Sequence, residues 1–391
     1  MTTLVDVVNF NADASCLSSP VWLSCLSGGS GSDFYRWLNL YVTYSKKVTL
    51  GLTGATIADL AHFNPESLTL IRANPEIFEI IVRPFSHDIA LIRTPDGFLR
   101  NVEMGIKTIV REFSTYTPYY LPPEFMLTNE QLGILEAAGI RGTFVNAARF
   151  KGEMGGRLPI DPYLIQGLLN TQMTCIPFGA GLTQTYLNAL HFWESSSWNN
   201  AVVTHRMTPV FSWRDGESPF FLPDGIAREG HWLENESADI RRGFLRDHQP
   251  VNEGELRRGL LVGEYRHYPI HSFTAWMREF KMLGFINRLM TIEGRLDTLT
   301  DRQLGIWLQA TNSDILSAIE KESPVISLKP TPESEAVNHV LWRSERGVEG
   351  ELFLLLIENL DQNRLRVILD TDMSPVVQKL RGRLSYLGSV Q

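Results

Sequence analysis

The sequence predicts an α/β fold: a largely parallel sheet or barrel with helices on its outside. The first observation is rhythm. Up to residue 146, short apolar runs rich in β-branched residues alternate with segments of helical spacing, the pattern of consecutive βα units whose strands lie side by side. The second is punctuation. Asn64-Pro65-Glu66 and Thr128-Asn129-Glu130-Gln131 each set a side-chain acceptor where a helix must find partners for its first backbone N–H groups. The third is bulk. A chain of 391 residues, 43% hydrophobic and 20% charged, has globular composition and room for one large core plus a second module.

In order, residues 4–10 alternate and carry β-branched side chains, reading as the opening strand. A Gly/Ser loop at 28–32 leads into a helix over 34–44. Residues 47–52 form a second strand and 56–61 a helix, and Pro65 starts another helix at its first position. A third strand at 78–82 precedes helical spacing over 101–113. A strand at 119–121, a helix at 129–138 and a strand at 142–146 continue the alternation. Residues 150–263 look loop-rich and hold Trp193, Trp198, Trp213 and Trp232. The pattern turns helical over 273–319, and Lys329-Pro330-Thr331-Pro332 reads as a linker. The expected division is a sheet or barrel domain at 1–265, a helical region packed on it at 266–328, and a small C-terminal α+β module at 333–391.

Several function classes are disfavoured. A net charge of −8 argues against general affinity for nucleic acid or anionic membranes. No apolar run reaches the ~20 residues that a spanning helix needs. Residues 1–6 lack the basic-then-apolar pattern of a secretory leader. Cys16, Cys25 and Cys175 are odd in number and widely spaced, fitting neither a disulfide framework nor a C-x-x-C zinc site. Reduced thiols and a cytoplasmic setting are expected.

Chemistry is signalled most sharply by Y-Y-L-P-P-E-F-M-L, residues 119–127. Glu124 ends an aromatic strand-like run, two prolines fix the approach, and a helix start follows at once. In an α/β barrel, a carboxylate at the C-terminal end of a strand is where reactions are usually run. A charged surface loop is the competing reading for Glu124 alone.

The order of features resembles glycoside hydrolase family 57, the amylase-like group with an incomplete seven-stranded β/α barrel. The resemblance runs over residues 4–320 and is densest from Val48 to Asn146. V-T-L-G-L-T-G-A-T-I-A-D-L, residues 48–60, is similar to the family's second strand and helix. F-E-I-I-V-R-P-F-S-H-D, residues 78–88, is similar to its strand with an early Glu and a later His. Y-L-P-P-E, residues 120–124, is similar to the motif whose Glu is the nucleophile, and E-A-A-G-I, residues 136–140, to the element after it. F-S-W-R-D-G-E, residues 211–217, is similar to the segment that supplies the general acid. The implied fold is a distorted (β/α)7 barrel followed by a helical region and a small C-terminal α+β appendage. The implied roles are nucleophile for Glu124 and acid/base for Asp215, with Glu217 a fallback acid. A type I turn at Asp215-Gly216 is the plainer alternative.

The resemblance also implies substrate-lining places for Asn9, Asn11, Glu79, His87, Trp213 and Asp314. Asn9 and Asn11 stand where the family carries H-x-H-Q-P, so hydrogen-bonding capacity is kept but chargeable groups are lost. W-L-Q-A-T-N-S-D, residues 307–314, is similar to a segment whose Asp approaches the site; a helix end with a polar turn is the alternative. Trp193, Trp198 and Trp232 could face sugar rings or simply pack. His267-Tyr268-Pro269-Ile270-His271 invites a metal reading, but proline breaks the helical spacing that such a pair needs. The expected enzyme acts on oligo- or polysaccharides of α-linked glucan type by double displacement, which needs two carboxyl groups and no metal or organic cofactor. The alternatives are a metal-dependent carbohydrate deacetylase on a related barrel and a non-catalytic carbohydrate-binding relative.

Overall fold

The first strand, β1 (Thr2–Phe10), is buried from Leu4 to Phe10, as a strand must be when parallel neighbours and helices cover both its faces. A computed structural model describes residues 1–11, 28–90, 93–146, 162–166, 171–178, 182–205, 209–248 and 256–257, with residues 25, 296, 301, 304, 305 and 308. The expected C-terminal module, nearly all of the expected helical region, Asp314, His267, His271 and Cys16 lie outside the described residues.

After β1 come α1 (Asp33–Thr43), β2 (Val48–Leu52), α2 (Gly54–Phe63), α3 (Pro65–Ala73), β3 (Phe78–Val82), α4 (Pro95–Phe113), β4 (Thr117–Tyr120), α5 (Asn129–Ala137) and β5 (Gly142–Asn146). The strands β6 (Tyr163–Gln166) and β7 (Gln172–Phe178) precede α6 (Leu182–Phe192), α7 (Ser196–Val203), β8 (Val210–Asp215), α8 (Gly225–Glu234), β9 (Ile240–Gly243) and β10 (Leu256–Arg257). The caps read from the sequence are in place. Asn64 accepts from Ser67 N–H with Pro65 at the first turn. Thr128 and Gln131 close a reciprocal capping box. Helix α4 starts six residues before the expected 101, because Thr94 caps it and Pro95 opens it.

Seven strands in the order β8-β1-β2-β3-β4-β5-β7 are parallel throughout. Strand β9 pairs with the first half of β1, while β6 runs antiparallel on the far side of β7. The ends β7 and β8 are not hydrogen-bonded to each other among the described residues, yet Ile176 and Phe178 share one buried cluster with Phe211. The architecture is the expected distorted β/α barrel. The stretch expected to be loop-rich, 150–263, instead carries five strands and three α-helices among its described residues. Pro177 within β7 is a residue that ordinarily demotes a strand; here it falls one residue from the strand's end, opposite Val145.

Alternation along the strands divides the core. Leu4, Val8 and Phe10 face outward and pack with Trp37, Tyr41, Trp198 and Trp232 under the helices. Val5, Val7, Ile81, Tyr119, Leu121, Phe144 and Phe211 face inward and fill the barrel. Each such side chain contributes roughly 1.5–3 kcal/mol by leaving water. No described helix is long and apolar enough to cross a membrane.

Two buried acids tie this frame. Asp6 faces outward and accepts from Ser212 Oγ (2.9 Å), Arg214 Nε (3.0 Å) and Arg242 Nη1 (2.8 Å). Burial opposes its ionisation, but Arg214 and Arg242 outweigh that and hold its pKa below the usual carboxylate range. Glu79, second residue of β3, faces inward near the barrel's other end. It accepts from Thr49 Oγ1 (2.7 Å), Thr117 Oγ1 (2.7 Å), Leu245 N–H (2.7 Å) and Arg246 N–H (2.9 Å).

Glu79→Ala strands two backbone donors and two hydroxyls, so urea denaturation should show a loss of about 3 kcal/mol or more. A change within about 0.5 kcal/mol, the range of an ordinary surface substitution, would show that these bonds do not hold the barrel.

Candidate active site

The polar ends of β1, β3, β4 and β8 converge at the C-terminal mouth of the barrel. Parallel register sets Asn9 beside Gly51 on one side and Asp215 on the other. The Gly216 N–H donates to Asn9 O at 2.7 Å, which turns the chain sharply after β8. An added Cβ at Gly216 would sit 2.5 Å from Val8 Cγ1 and 2.9 Å from Asn9 O, so only glycine permits this turn.

From there a chain of contacts links the expected site residues. Glu217 N–H donates to Asp215 Oδ1 (3.0 Å), and Asn11 N–H donates to Glu217 Oε1 (2.8 Å). Asn11 Nδ2 lies 3.1 Å from His87 Nδ1, and His87 Nε2 lies 3.9 Å from Glu124 Oε1. Asn9 Nδ2 joins weakly to Asn11 Oδ1 at 3.4 Å. The two asparagines thus take hydrogen-bonding places between the carboxylates and the histidine.

Glu124 is held in an uncommon conformation. After Pro122 and Pro123 it adopts φ 51°, ψ 14°, and Phe125 follows at φ 54°. Two consecutive left-handed residues other than glycine each cost about 1–3 kcal/mol, a strain typical of functional sites. Phe125 is locked by edge contacts with Phe178 (5.7 Å) and Trp213 (5.1 Å), while the Glu124 side chain keeps 25% exposure. The strained turn therefore aims the carboxylate into the mouth and buries its neighbour.

His87 is placed by a clamped loop. Asn101 of α4 binds Ser86 N–H (2.8 Å) and Ser86 O (3.1 Å). At Gly105 the helix lies so close that an added Cβ would come within 2.3 Å of Arg83 O. Asp88 is taken by Arg93 at 2.5 Å. Burial first, and the Arg83 charge second, hold the His87 pKa well below its ordinary 6.5, so the ring is neutral at pH 7. The Asn11 amide nitrogen can only donate, which makes His87 Nδ1 the acceptor and leaves the proton on Nε2, toward Glu124.

Asp215 lies at the end of β8. Burial pushes its pKa up, resisted by the Glu217 N–H and by Arg83. Trp213, two residues earlier on the same inward face, is half-buried against Phe125. Phe220 turns outward onto Phe10 and Trp37, and Phe221 is exposed, so neither shields Asp215.

The structure therefore brings Glu124, Asp215, Glu217, Asn9, Asn11, His87 and Trp213 to one end of the barrel. It does not bring Glu79, whose oxygens are spent on structural bonds. Trp198 and Trp232 are buried core residues and Trp193 is a surface residue at the end of α6. Arg83, 1% exposed, was not anticipated. Its charge reaches Tyr120, Glu217, Glu124 and Asp215. It follows inward-facing Ile81 by two positions, and extending that alternation past the end of β3 finds it. Among the described residues, no group of three or more His, Cys, Asp or Glu could hold a metal ion.

Residues 32–172 match Glycosyl hydrolase family 57. The match holds β2 to β5 and with them His87 and Glu124, so the family 57 resemblance read from the sequence is shown. No curated protein matches significantly. Among solved structures, the 4-alpha-glucanotransferase from Thermococcus litoralis aligns with TM-score 0.68 and 12% identity, over 81% of this chain and 56% of its own. This chain thus spans little more than half of that enzyme. The GH57-type branching enzyme from Pyrococcus horikoshii aligns with TM-score 0.63 and 11% identity, over 93% of this chain and 94% of its own. A GH57 branching enzyme from Thermococcus kodakaraensis aligns with TM-score 0.64 and 10% identity, over 100% and 96%. At these identities the likeness to the family 57 structures establishes the shared fold.

His87 sets a pH signature. Below pH 6.5 the unfolded chain takes up a proton that native His87 refuses, so stability falls as pH drops from 6.5 toward the depressed native value. Asp215 acts in the opposite sense, since its raised pKa favours the native state most below 3.8 and progressively less above it. In His87→Gln, urea denaturation between pH 7.5 and 5.5 should show a shallower loss of stability than wild type. Equal slopes would mean that His87 titrates normally.

Proposed function

We propose that this protein is a carbohydrate-active enzyme, a retaining glycoside hydrolase or transglycosylase that acts on α-linked glucan-type sugars. The carrying observation is the chain of contacts from Asp215 through Glu217, Asn11 and His87 to Glu124, hydrogen-bonded as far as His87 and closed by a 3.9 Å approach of His87 Nε2 to Glu124 Oε1. It sets one strained, partly exposed carboxylate and one desolvated carboxyl at the mouth of a family 57 barrel.

Double displacement needs those two states. Ionised Glu124 attacks the anomeric carbon and forms a glycosyl ester as the bond to the leaving oxygen breaks. Protonated Asp215 gives its proton to that oxygen, then as a carboxylate takes one from water or from an acceptor sugar hydroxyl. The raised pKa of Asp215 suits the acid, and the neutral His87 Nε2–H can donate to Glu124 or to a sugar oxygen without adding charge. Retaining chemistry expects the two carboxyls about 5–5.5 Å apart. The half-buried Trp213 gives an apolar face of the kind that sugar rings use. The glucan-type substrate is supported by the fold shared with a 4-alpha-glucanotransferase and with branching enzymes. The buried free thiol of Cys175 suits a reducing, cytoplasmic setting.

Glu124→Gln should abolish turnover of α-glucans while leaving the circular dichroism and melting profile in place; unchanged turnover would remove Glu124 from the mechanism. Asp215→Asn should lose about 10²–10⁴-fold in kcat with sugar leaving groups, but far less with a glycosyl fluoride, whose leaving group needs no proton. Equal losses on both substrates would deny Asp215 the acid role. Oligosaccharide binding without any turnover, insensitive to Glu124→Gln, would move the assignment to a non-catalytic carbohydrate binder.

A further inference from the structure

The cation at the centre of this site has no assigned role. Arg83 stands one residue beyond β3, on the inward face that carries Ile81, and is 1% exposed. Its aliphatic stem lies over Gly51 of β2, where an added Cβ would sit 3.3 Å from Arg83 Cδ and 3.4 Å from Cγ, with Leu121 at 3.0 Å on the other side. Glycine at 51 is what admits the stem. The guanidinium Nε and Nη2 make no hydrogen bond among the described residues. A buried cation with unspent donors is costly and persists when its surroundings use the charge.

Those surroundings are anionic. The guanidinium charge couples to Tyr120 of β4, to Glu217 and Asp215 at the end of β8 and the turn beyond it, and to Glu124 in the turn after β4. His87, from the loop after β3, is neutral, and Asp88 is neutralised by Arg93. Gathering three carboxyls without a cation would drive more than one of them toward the protonated form; the cation favours the carboxylates, while burial keeps Asp215 the one that most readily holds a proton. We propose that Arg83 is a positioning residue: a buried, unbonded counter-ion that keeps Glu124 ionised while Asp215 holds the proton. Acting through space rather than through a bidentate bond, it lowers the energy of the carboxylate without occupying the oxygen that attacks. The burial that lowers the guanidinium pKa, to about 10, leaves it cationic at neutral pH. Arginine fits this task because its charge survives desolvation better than that of lysine.

The inference rests on the reading of Glu124 as nucleophile, so its test has one arm that needs turnover and one that does not. Arg83→Met matches the length of the stem and removes the charge; Arg83→Lys keeps charge and serves as the conservative rescue. In the first arm, the pH profile of kcat/KM on maltoheptaose is compared. Arg83→Met should move the acid limb up by roughly one unit and the basic limb in the same direction, lowering kcat at pH 7 with little change in KM, and Arg83→Lys should return both limbs toward wild type. In the second arm, His87 is titrated by NMR of its imidazole in the same variants. Its pKa should rise in Arg83→Met and fall back in Arg83→Lys. Unmoved limbs with an unmoved His87 overturn the proposal. A rise in KM with an unshifted profile also overturns it, making Arg83 a substrate contact. If the wild type turns over no glucan, the glucan reading fails by itself, and the His87 titration still decides whether the Arg83 charge governs the site.

Discussion

The Asp6 carboxylate is the point on which the arrangement depends. It sits outward on β1 and collects donors from β8 and β9 at once, Ser212 and Arg214 from one and Arg242 from the other. Arg214 in turn meets Glu229 of α8 (2.8 Å), Arg242 meets Glu236 (2.9 Å), and Tyr41 and Tyr186 donate to Glu229. Removing one member of such a buried set leaves an uncompensated charge, typically at a cost of 3–5 kcal/mol. More important is specificity. A one-residue slip of β1 against β8 would turn Asp6 into the apolar barrel and Val5 or Val7 onto the arginines. The same register sets Asn9 opposite Asp215, so an ion cluster on the outer face fixes the geometry of the candidate site on the inner one.

The period of two along each strand thus divides labour. Outward positions carry a charged network that is fully paired and structural. Inward positions carry an apolar plug, Val5, Val7, Ile81, Phe144 and Phe211, with Glu79 beneath it and Arg83 and Asp215 above. Both inward ends hold buried charge, yet they behave differently. Glu79 has a donor for each of four lone-pair directions and is inert, whereas Arg83 has unspent donors and faces ionisable neighbours. Burial does not separate the two; the balance of donors and acceptors does.

Much of this was legible in the residues. The strands at 78–82 and 142–146 fell where expected, the caps at Asn64 and Thr128 formed as read, and Glu124, His87 and Asp215 came together at one mouth. What was illegible has physical causes. Distance along a strand decides which end of a barrel a side chain serves, and Glu79, at the start of β3, lies at the end opposite the site; its place near His87 in sequence concealed that. Arg83 escaped notice because an arginine after a strand ordinarily reaches solvent. Only the absence of a side chain at Gly51, on a neighbouring strand, lets it fold inward. The stretch around β7 was misjudged because its proline and polar residues look like loop until β5 supplies a parallel partner. The tryptophans at 198 and 232 are core residues because helices α7 and α8 turn them under the network around Arg214.

The left-handed turn at Glu124 and Phe125 has a consequence for how such a chain drifts. A glycine, which has no Cβ, would relax there. Glycine at 124 should therefore tend to raise stability as it silences the site, and return to glutamate should lower it. A lineage freed from selection for turnover would be pulled toward a sturdier, inactive barrel at this turn, while the cluster around Asp6 stayed unchanged. Glu-Phe in two unfavourable backbone conformations thus costs the fold stability that glycine at 124 would return.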